Sequence, residues 1–186
     1  GLGNDTLDGG GGTGDTVSYA NASGAVTVDL GAGTATGADG TDSLSNFENI
    51  TGSASADTLT GDSGANVIDG SGGGDTINGG LGNDTLTGGG GIATYMFDSL
   101  NDGADTITDF NTSQDILSFA VSDTDLDGNI VNELNAAISS IVDGGAGADI
   151  VISFSAGGSI TLQHAGVGGA PTSITDVVGV GQLQSH

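Results

Sequence analysis

The stretch GDSGANVIDGSGGGDTINGGLGNDTLTGGGGIATYM, residues 61–96, decides the fold because it repeats every nine residues. Together with the unit at 52–60, it makes five consecutive nonapeptides that keep register without an insertion. A fixed period of this kind is the signature of a repeat architecture. The sixth position of the units holds, in order, Asp57, Asn66, Asp75, Asp84 and Ala93. The eighth position is large and apolar throughout, and holds Leu59, Ile68, Ile77, Leu86 and Tyr95.

Each nonapeptide divides into a glycine-rich turn of six residues and a strand of three. Glycine permits positive φ angles and close backbone approach in the turn. In the strand, the eighth residue points away from its two neighbours because side chains alternate across a strand. Two units then form one coil of 18 residues with two facing strands. The sequence therefore predicts an all-β fold, a parallel β-roll or β-solenoid whose stacked coils enclose a thin apolar core.

The composition limits the class of partner. The 186 residues include 24 Asp and Glu but no Lys or Arg, so the formal charge is -24. Such a chain repels itself when compact, which implies a cationic partner. Nucleic acids and anionic membrane surfaces both require basic patches, and no apolar run is long enough to span a bilayer. We therefore expect small divalent cations as partners, no nucleic acid and no membrane insertion.

The N-terminal part carries the same pattern less regularly. GLGNDTLD, residues 1–8, matches a unit that lacks its first residue, which places Asp5 in the acidic position. Residues 19–50 leave the period, and we interpret them as a non-repeat insertion that decorates the same roll. Because the sequence starts within the pattern and without Met, we expect a fragment or a processed product. The roll is predicted to span 1–96, with the insertion at about 19–50.

After residue 96 the pattern changes, which predicts a separate capping region over 97–186. Two strands are expected within 102–120, next to Asp105 and Asp115. The apolar spacing over 130–142 predicts a helix. Residues 148–165 are typical of a β-hairpin that turns at Ala156-Gly157-Gly158. A β-rich cap with one short helix would cover the last layer of the solenoid core.

The acidic positions point to a metal. Asp57 and Asp75 are 18 residues apart, so stacked coils would bring them to about 4.8 Å. At that distance two carboxylates repel by roughly 3 kcal/mol at an effective dielectric constant near 20. A calcium ion between the turns would reverse this cost, because Ca²⁺ accepts six to eight oxygen ligands in a tolerant geometry, whereas Mg²⁺ fits less well. The alternative is a metal-free turn, since Asp and Asn both tolerate tight turns.

The repeats resemble the RTX (repeats-in-toxin) calcium-binding β-roll, whose unit is G-G-x-G-x-D-x-U-x. GGLGNDTLT, residues 79–87, matches every fixed position. The resemblance is strong over 52–96, partial over 1–18, and extends to DGADTITDF, which is similar to the C-terminal end of such modules in secreted proteins. It implies several bound Ca²⁺ ions, with ligands from the second, fourth and sixth positions of one turn and the first, third and sixth positions one coil later.

Carried over to this chain, the resemblance implies three complete or nearly complete sites and two further ligands. One site would use Ser53, Ser55 and Asp57 with Gly70, Gly72 and Asp75. The next would use Asp62, Gly64 and Asn66 with Gly79, Leu81 and Asp84. The site after that would combine Ser71, Gly73 and Asp75 with Gly88, Gly90 and Ala93, and is weakened because Ala93 has no carboxylate. A further site would use Gly80, Gly82 and Asp84 with Asp102, and Glu48 would ligate an ion at the incoming edge. Asp5, Asp105 and Asp115 complete the candidate ligands.

DTDLDGNIVNE, residues 123–133, gives a second calcium signal. Asp123, Asp125 and Asp127 with Gly128 copy the start of an EF-hand loop. The pattern requires Glu at loop position 12, where the chain has Leu134, while Glu133 comes one residue early. A calcium site and a solvated acidic turn that caps the predicted helix therefore both stay open.

We expect no enzymatic activity. His164 and His186 have no convincing catalytic companion, and neither HExxH nor GxSxG occurs in the sequence. The resemblance implies a calcium-binding module of a larger bacterial protein that leaves the cell through a type I secretion system, with its signal in the C-terminal capping region. Such a module is secreted or displayed at the cell surface and folds on binding Ca²⁺ outside. The alternative is a structural protein, a surface-layer, adhesin or filament subunit that calcium holds together as a homopolymer.

Overall fold

The computed structural model describes residues 1–120, 134–135, 137–143, 148–165 and 183–185. These residues form seventeen strands in two sheets. The strands are β1 (Thr6–Asp8), β2 (Thr16–Ser18), β3 (Val26–Asp29), β4 (Thr34–Gly37), β5 (Gly40–Ser45), β6 (Asn49–Thr51), β7 (Thr58–Thr60), β8 (Val67–Asp69), β9 (Thr76–Asn78), β10 (Thr85–Thr87), β11 (Thr94–Phe97), β12 (Ala104–Ile107), β13 (Ile116–Phe119), β14 (Ile138–Asp143), β15 (Ile150–Phe154), β16 (Ser159–Leu162) and β17 (Leu183–Ser185).

Successive nonapeptides contribute strands to opposite sheets, which confirms the predicted β-roll. The first sheet has the order β1-β5-β4-β3-β7-β9-β11-β13-β17, and the second has the order β14-β15-β16-β12-β10-β8-β6-β2. Within the repeats all pairings are parallel, with Leu59 beside Ile77 and Ile77 beside Tyr95. On the second sheet Ile68 lies beside Leu86. The two-unit coil follows directly, because each strand pairs with the strand 18 residues away.

The core is one side chain deep in the repeats, as the three-residue strands require. The middle residue of β7, β8, β9 and β10 is fully buried, and its two neighbours are exposed or half-buried. Burying one such aliphatic side chain contributes about 1.5–3 kcal/mol. The inner row of the first sheet is Val28, Leu59, Ile77, Tyr95 and Leu117, and that of the second is Val17, Ile50, Ile68, Leu86, Ile107 and Leu162.

The residues between the first units and the regular repeats form an antiparallel meander. Strands β3, β4 and β5 pair in that order, and they widen the first sheet between β1 and β7. The alternation over 24–31 becomes β3, in which Val26 and Val28 are buried and Thr27 is exposed. Strand β6 then returns the chain to the second sheet beside β2.

The C-terminal part continues both sheets and then changes direction. Strands β12 and β13 are parallel to β10 and β11, as the two strands predicted within 102–120 require. The offset is larger than 18, because Leu86 lies beside Ile107 and Tyr95 lies beside Leu117. Leu117, rather than Ile116, therefore takes the core position. The predicted hairpin is confirmed: β15 and β16 are antiparallel and joined by the turn at 155–158.

The predicted helix over 130–142 is wrong in its second half. Residues 138–143 form β14, which pairs antiparallel with β15. The segment ISSIV is rich in β-branched residues, and the free edge of β15 offers hydrogen bonds that override its helical spacing. Leu134, Asn135 and Ala137 are helical, and Leu134 is buried. Residues 130–133 and 136 lie outside the described residues.

Candidate metal centre

The sixth position of each repeat turn faces the same position of the next coil, as predicted. On the edge where the turns precede strands of the first sheet, the first edge, Asp57 N donates to Asp75 Oδ1 at 2.8 Å. On the opposite edge, the second edge, Asn66 N donates to Asp84 Oδ1 at 2.8 Å, and Asp84 N donates to Asp105 Oδ1 at 3.0 Å. Each acidic side chain thus uses one oxygen to join two coils.

The second oxygen of these carboxylates distinguishes the rungs. Within the described part of the chain, three buried oxygens have no hydrogen-bond partner: Oδ2 of Asp15, Asp75 and Asp84, called the open oxygens below. Asp75 and Asp84 are each 1% exposed. A buried carboxylate with an unsatisfied oxygen is costly unless it gains a proton or a cation. The two central rungs therefore hold a specific demand for positive charge.

Burial also shifts the titration of these groups. Desolvation raises the pKa of Asp75 to about 6 and that of Asp84 to about 6, although a backbone N–H bond to each carboxylate partly offsets the rise. The pKa of Asp105 rises to about 7 for the same reason, with the charge of Asp84 adding to it. Since the chain has no Lys or Arg, no side-chain cation other than histidine exists to neutralise these carboxylates.

Glycine at the first position of each turn leaves room for converging oxygens. A methyl group on Gly52 would lie 2.6 Å from Asp57 Oδ2 and 2.9 Å from the carbonyl oxygen of Gly70. A methyl group on Gly70 would collide with Asp75 Oδ2 and lie 2.8 Å from the carbonyl oxygen of Gly88. Each turn thus brings its sixth side chain close to a carbonyl oxygen of the next coil.

The donor set fits Ca²⁺. In the described residues no three Asp, Glu or His side chains converge into one metal-holding group. The oxygens that do converge are carboxylate and backbone carbonyl oxygens, which are the ligands that Ca²⁺ takes in variable number. The residues that would hold an ion are those around the open oxygens of Asp75 and Asp84, where Ca²⁺ would supply the missing positive charge.

The first two predicted ligand sets lie in the predicted turns, and their role as ligands stays a prediction. In the first set, both oxygens of Asp57 are already hydrogen-bonded, to Val26 N and Ser53 Oγ through Oδ1 and to Ser53 N through Oδ2. In the second set, Asn66 Oδ1 accepts from Asp62 N at 2.9 Å, and Asp62 Oδ1 accepts from Gly64 N at 2.7 Å.

The register that placed Asp102 opposite Asp84 is wrong. Because the loop at 97–103 is longer than a repeat turn, the offset is 21 residues and Asp105 takes that place. Asp102 is buried, its Oδ2 accepts from Ser99 N at 3.0 Å, and its carbonyl oxygen accepts from Gly82 N at 2.6 Å. Its role as a ligand stays a prediction, as does that of Asp105.

The remaining candidates lie at the ends of the ladder. Glu48 Oε2 accepts from Asp15 N at 2.9 Å, which places Glu48 at the edge where an incoming site was expected. Asp5 N donates to Asp42 Oδ1 at 2.9 Å. Asp115 accepts from Ala93 N and from Asn111 N, so both of its oxygens are used. Asp123, Asp125 and Asp127 lie outside the described residues.

Sequence reasoning missed two ladder residues as candidates, Asp15 and Asp42. Asp15 holds an open oxygen, and Asp42 receives the hydrogen bond from Asp5 N. Both obey a rule that holds throughout the ladder: the acidic residue stands two positions before a core residue, here Val17 and Leu44. That signal survives where the nine-residue period does not.

No helix within the described residues is long and apolar enough to cross a membrane.

Comparison with known proteins supports the metal assignment. Residues 44–77 and 69–91 match the model of the RTX calcium-binding nonapeptide repeat. No curated protein matches the chain. The crystal structure of the extracellular lipase LipA from Serratia marcescens is similar over 98% of this chain, with 18% identity and a TM-score of 0.40. The chain spans 37% of the length of that lipase. Residues 44–91 are thus RTX calcium-binding nonapeptide repeats folded as a parallel β-roll, and the ion that such repeats bind is Ca²⁺.

Proposed function

We propose that this chain is a calcium-dependent folding module of a longer protein that leaves the cell through a type I secretion system and folds outside it. The observation that carries the proposal is the pair of buried open oxygens on Asp75 and Asp84. They lie within RTX repeats, in a chain whose formal charge is -24.

The mechanism follows from charge. Without calcium, neighbouring carboxylates repel across the stacked coils, and the open oxygens oppose the folded state. Ca²⁺ binds only where two coils meet, so the free energy of binding stabilises the folded state directly. At a calcium concentration of 100 Kd, each site would add about 2.7 kcal/mol. The module would thus stay unfolded at low cytosolic calcium and fold at the higher calcium concentration outside.

The same proposal assigns the parts of the chain. Residues 1–96 would be the roll with its insertion, and residues 97–186 would cap it and carry the secretion signal, with the secretion machinery as a partner. The chain would be extracellular or at the cell surface and would have no catalytic activity of its own. Any such activity would belong to other parts of the longer protein.

A calcium titration followed by circular dichroism tests the proposal. We expect a spectrum of low β content in EDTA and a cooperative gain of β signal on adding Ca²⁺, with a much weaker response to Mg²⁺, which demands a strict octahedral geometry. A β spectrum that is the same in EDTA and in calcium would contradict the proposal.

A second candidate function is a self-assembling structural subunit. It is favoured by β1 and β2, which are the outermost strands at one end of the two described sheets. Exposed edge strands pair with other chains, and head-to-tail contacts can form filaments. Electron microscopy in saturating calcium separates the two functions, since filaments or sheets favour the structural subunit and single particles favour the appended module.

A further inference from the structure

Both tyrosines of the chain donate their hydroxyl group to an aspartate on the first edge. Tyr95 Oη lies 2.9 Å from Asp109 Oδ1, and Tyr19 Oη lies 2.8 Å from Asp42 Oδ2. In the order of the first sheet, Asp42 precedes β5, while Tyr95 belongs to β11. The two tyrosine pairs therefore lie on either side of the rungs of Asp57 and Asp75.

At the β11 end, Tyr95 fills the position of the missing carboxylate. A methyl group on Gly88 would lie 2.6 Å from Tyr95 Oη, just as a methyl group on Gly52 would lie 2.6 Å from Asp57 Oδ2. The equivalent methyl group on Gly70 would meet Asp75 Oδ2. Ala93 supplies no oxygen there, so a neutral hydroxyl group replaces the charged oxygen of the other rungs.

Asp109 completes this replacement from the coil above. Its Oδ1 accepts from Gly88 N at 3.0 Å and from Tyr95 Oη, and its Oδ2 accepts from Gly89 N at 2.7 Å. In the Asp57 turn, the same second-position N–H is satisfied by the sixth side chain of its own turn. One carboxylate with three donors is satisfied without a cation.

The aromatic ring holds the hydroxyl group in place. Tyr95 is fully buried, and its ring centroid lies 6.0 Å from that of Phe110. Burial and the neighbouring Asp109 both raise the pKa of the Tyr95 hydroxyl, which therefore remains a proton donor. A neutral hydroxyl that donates its proton to a carboxylate does not offer the anionic oxygen that a Ca²⁺ site needs here.

The β5 end repeats the arrangement with a different tyrosine. Asp42 Oδ1 accepts from Asp5 N at 2.9 Å, which is the ladder bond of every rung. The other oxygen of Asp42 accepts from Tyr19 Oη, whereas the corresponding oxygen of Asp75 is an open oxygen. The tyrosine hydroxyl thus satisfies the oxygen that would otherwise require a cation.

We propose that the pairs Tyr95–Asp109 and Tyr19–Asp42 take the place of calcium ions at the two ends of the first edge and so confine its calcium sites to the rungs between them. This inference rests on the proposed function, because it presupposes that the rungs between the pairs bind Ca²⁺. It assigns the end rungs to hydrogen bonding within the chain and the inner rungs to the ion.

Native mass spectrometry in saturating calcium tests the inference by counting ions. Tyr95→Phe and Tyr19→Phe should each bind the same number of Ca²⁺ ions as the wild-type chain, since neither hydroxyl is a ligand. Ala93→Asp/Tyr95→Leu, which restores the repeat at 88–96, should bind at least one ion more. Asp75→Asn is the control that must bind fewer ions.

The outcomes separate the two proposals. A wild-type chain without bound calcium would overturn the proposed function and this inference together. A wild-type chain that binds calcium but loses an ion on Tyr95→Phe or Tyr19→Phe would overturn the inference alone, as would an unchanged count for a folded Ala93→Asp/Tyr95→Leu.

A second measurement avoids the variants. In crystals of the wild-type chain grown with calcium, the anomalous signal should place no ion within about 2.6 Å of Tyr95 Oη or Tyr19 Oη, the longest usual Ca²⁺–oxygen distance. An ion at that distance from either hydroxyl would overturn the inference.

Discussion

The central repeats and the C-terminal strands use the same stacking but hold it together differently. Strands β7–β10 each bury a single aliphatic side chain. Strands β11 and β13 bury two or three, including Phe97 and Phe119, whose rings stack at 5.4 Å. Phe154 from β15 packs against Phe119 at 6.0 Å. The C-terminal part therefore has a true aromatic core, and the central part does not.

The electrostatics differ in the opposite sense. The central carboxylates Asp75 and Asp84 hold open oxygens. In the C-terminal part both oxygens of Asp109 and of Asp115 accept hydrogen bonds. The comparison teaches that one ladder of strands contains a segment that depends on a cation and a segment that depends on packing.

Removing calcium should give the largest effect and should separate the two regions. In EDTA we expect amide hydrogens at 52–87 to lose their protection from exchange, because repulsion in this segment is not opposed by a large core. Those of β13, β15 and β16 should lose much less. Hydrogen exchange with mass spectrometry measures both regions in one sample, and equal loss in both would break the comparison.

Phe119→Ala should give the next largest effect, and it should be independent of calcium. Replacing a fully buried Phe by Ala typically costs about 3–5 kcal/mol. We expect a similar fall in the thermal midpoint of the C-terminal strands in EDTA and in calcium. Leu59→Ala is the matched core control in the central region, and its effect should be measurable only with calcium. A calcium-dependent effect of Phe119→Ala would contradict the account.

The glycine cradle gives a sharper test within one turn. Gly70→Ala places a methyl group against Asp75 Oδ2 and the Gly88 carbonyl oxygen, so the calcium midpoint for folding should rise at least about tenfold, or about 1.4 kcal/mol. Gly72→Ala is the control, because its methyl group meets its nearest atom at 3.6 Å, an ordinary contact. It should change stability by no more than about 0.5–1 kcal/mol. Equal effects of the two substitutions would show that Gly70 does not border a site.

The pH dependence should be smaller and should have opposite signs with and without calcium. In the ion-free fold the pKa of Asp75 and Asp84 lies near 6, above the ordinary value of 3.8. Between these values the fold binds protons that the unfolded chain has released, so ion-free stability should fall as pH rises. Calcium competes with the same protons, so its apparent affinity should rise from pH 5.5 to 7.5. Calcium titrations at both values check this, and an unchanged midpoint would contradict it.

The sequence predicts the central region well because one period fixes three features together. Nine residues set the strand, the core position and the ladder position, so Asp75 and Ile77 could be placed from spacing alone. Where loops change length the prediction loses register. Asp105 replaces Asp102 beyond a longer loop, and Asp42 meets Asp5 only after a meander has formed.

Other features depend on tertiary contacts that no local pattern encodes. The spacing at 138–142 suits a helix, but the edge of β15 recruits it as a strand. Ala93 correctly marks a weakened rung in the sequence, whereas the contact of Tyr95 with Asp109 requires both coils to be stacked. The lost carboxylate is visible in the sequence, and its substitute is visible only in the fold.

The central claim is that Ca²⁺ satisfies the buried carboxylates of Asp75 and Asp84, and one titration tests it most directly. Asp75→Asn/Asp84→Asn is compared with Asp8→Asn/Asp39→Asn, which removes the same charge from two surface carboxylates that bond to Asn46 and Ser23. Folding is followed by circular dichroism against free calcium. The account predicts that the Asp75/Asp84 variant needs at least about 100-fold more calcium than the control, a difference of about 2.7 kcal/mol. Equal calcium midpoints for the two variants would contradict it.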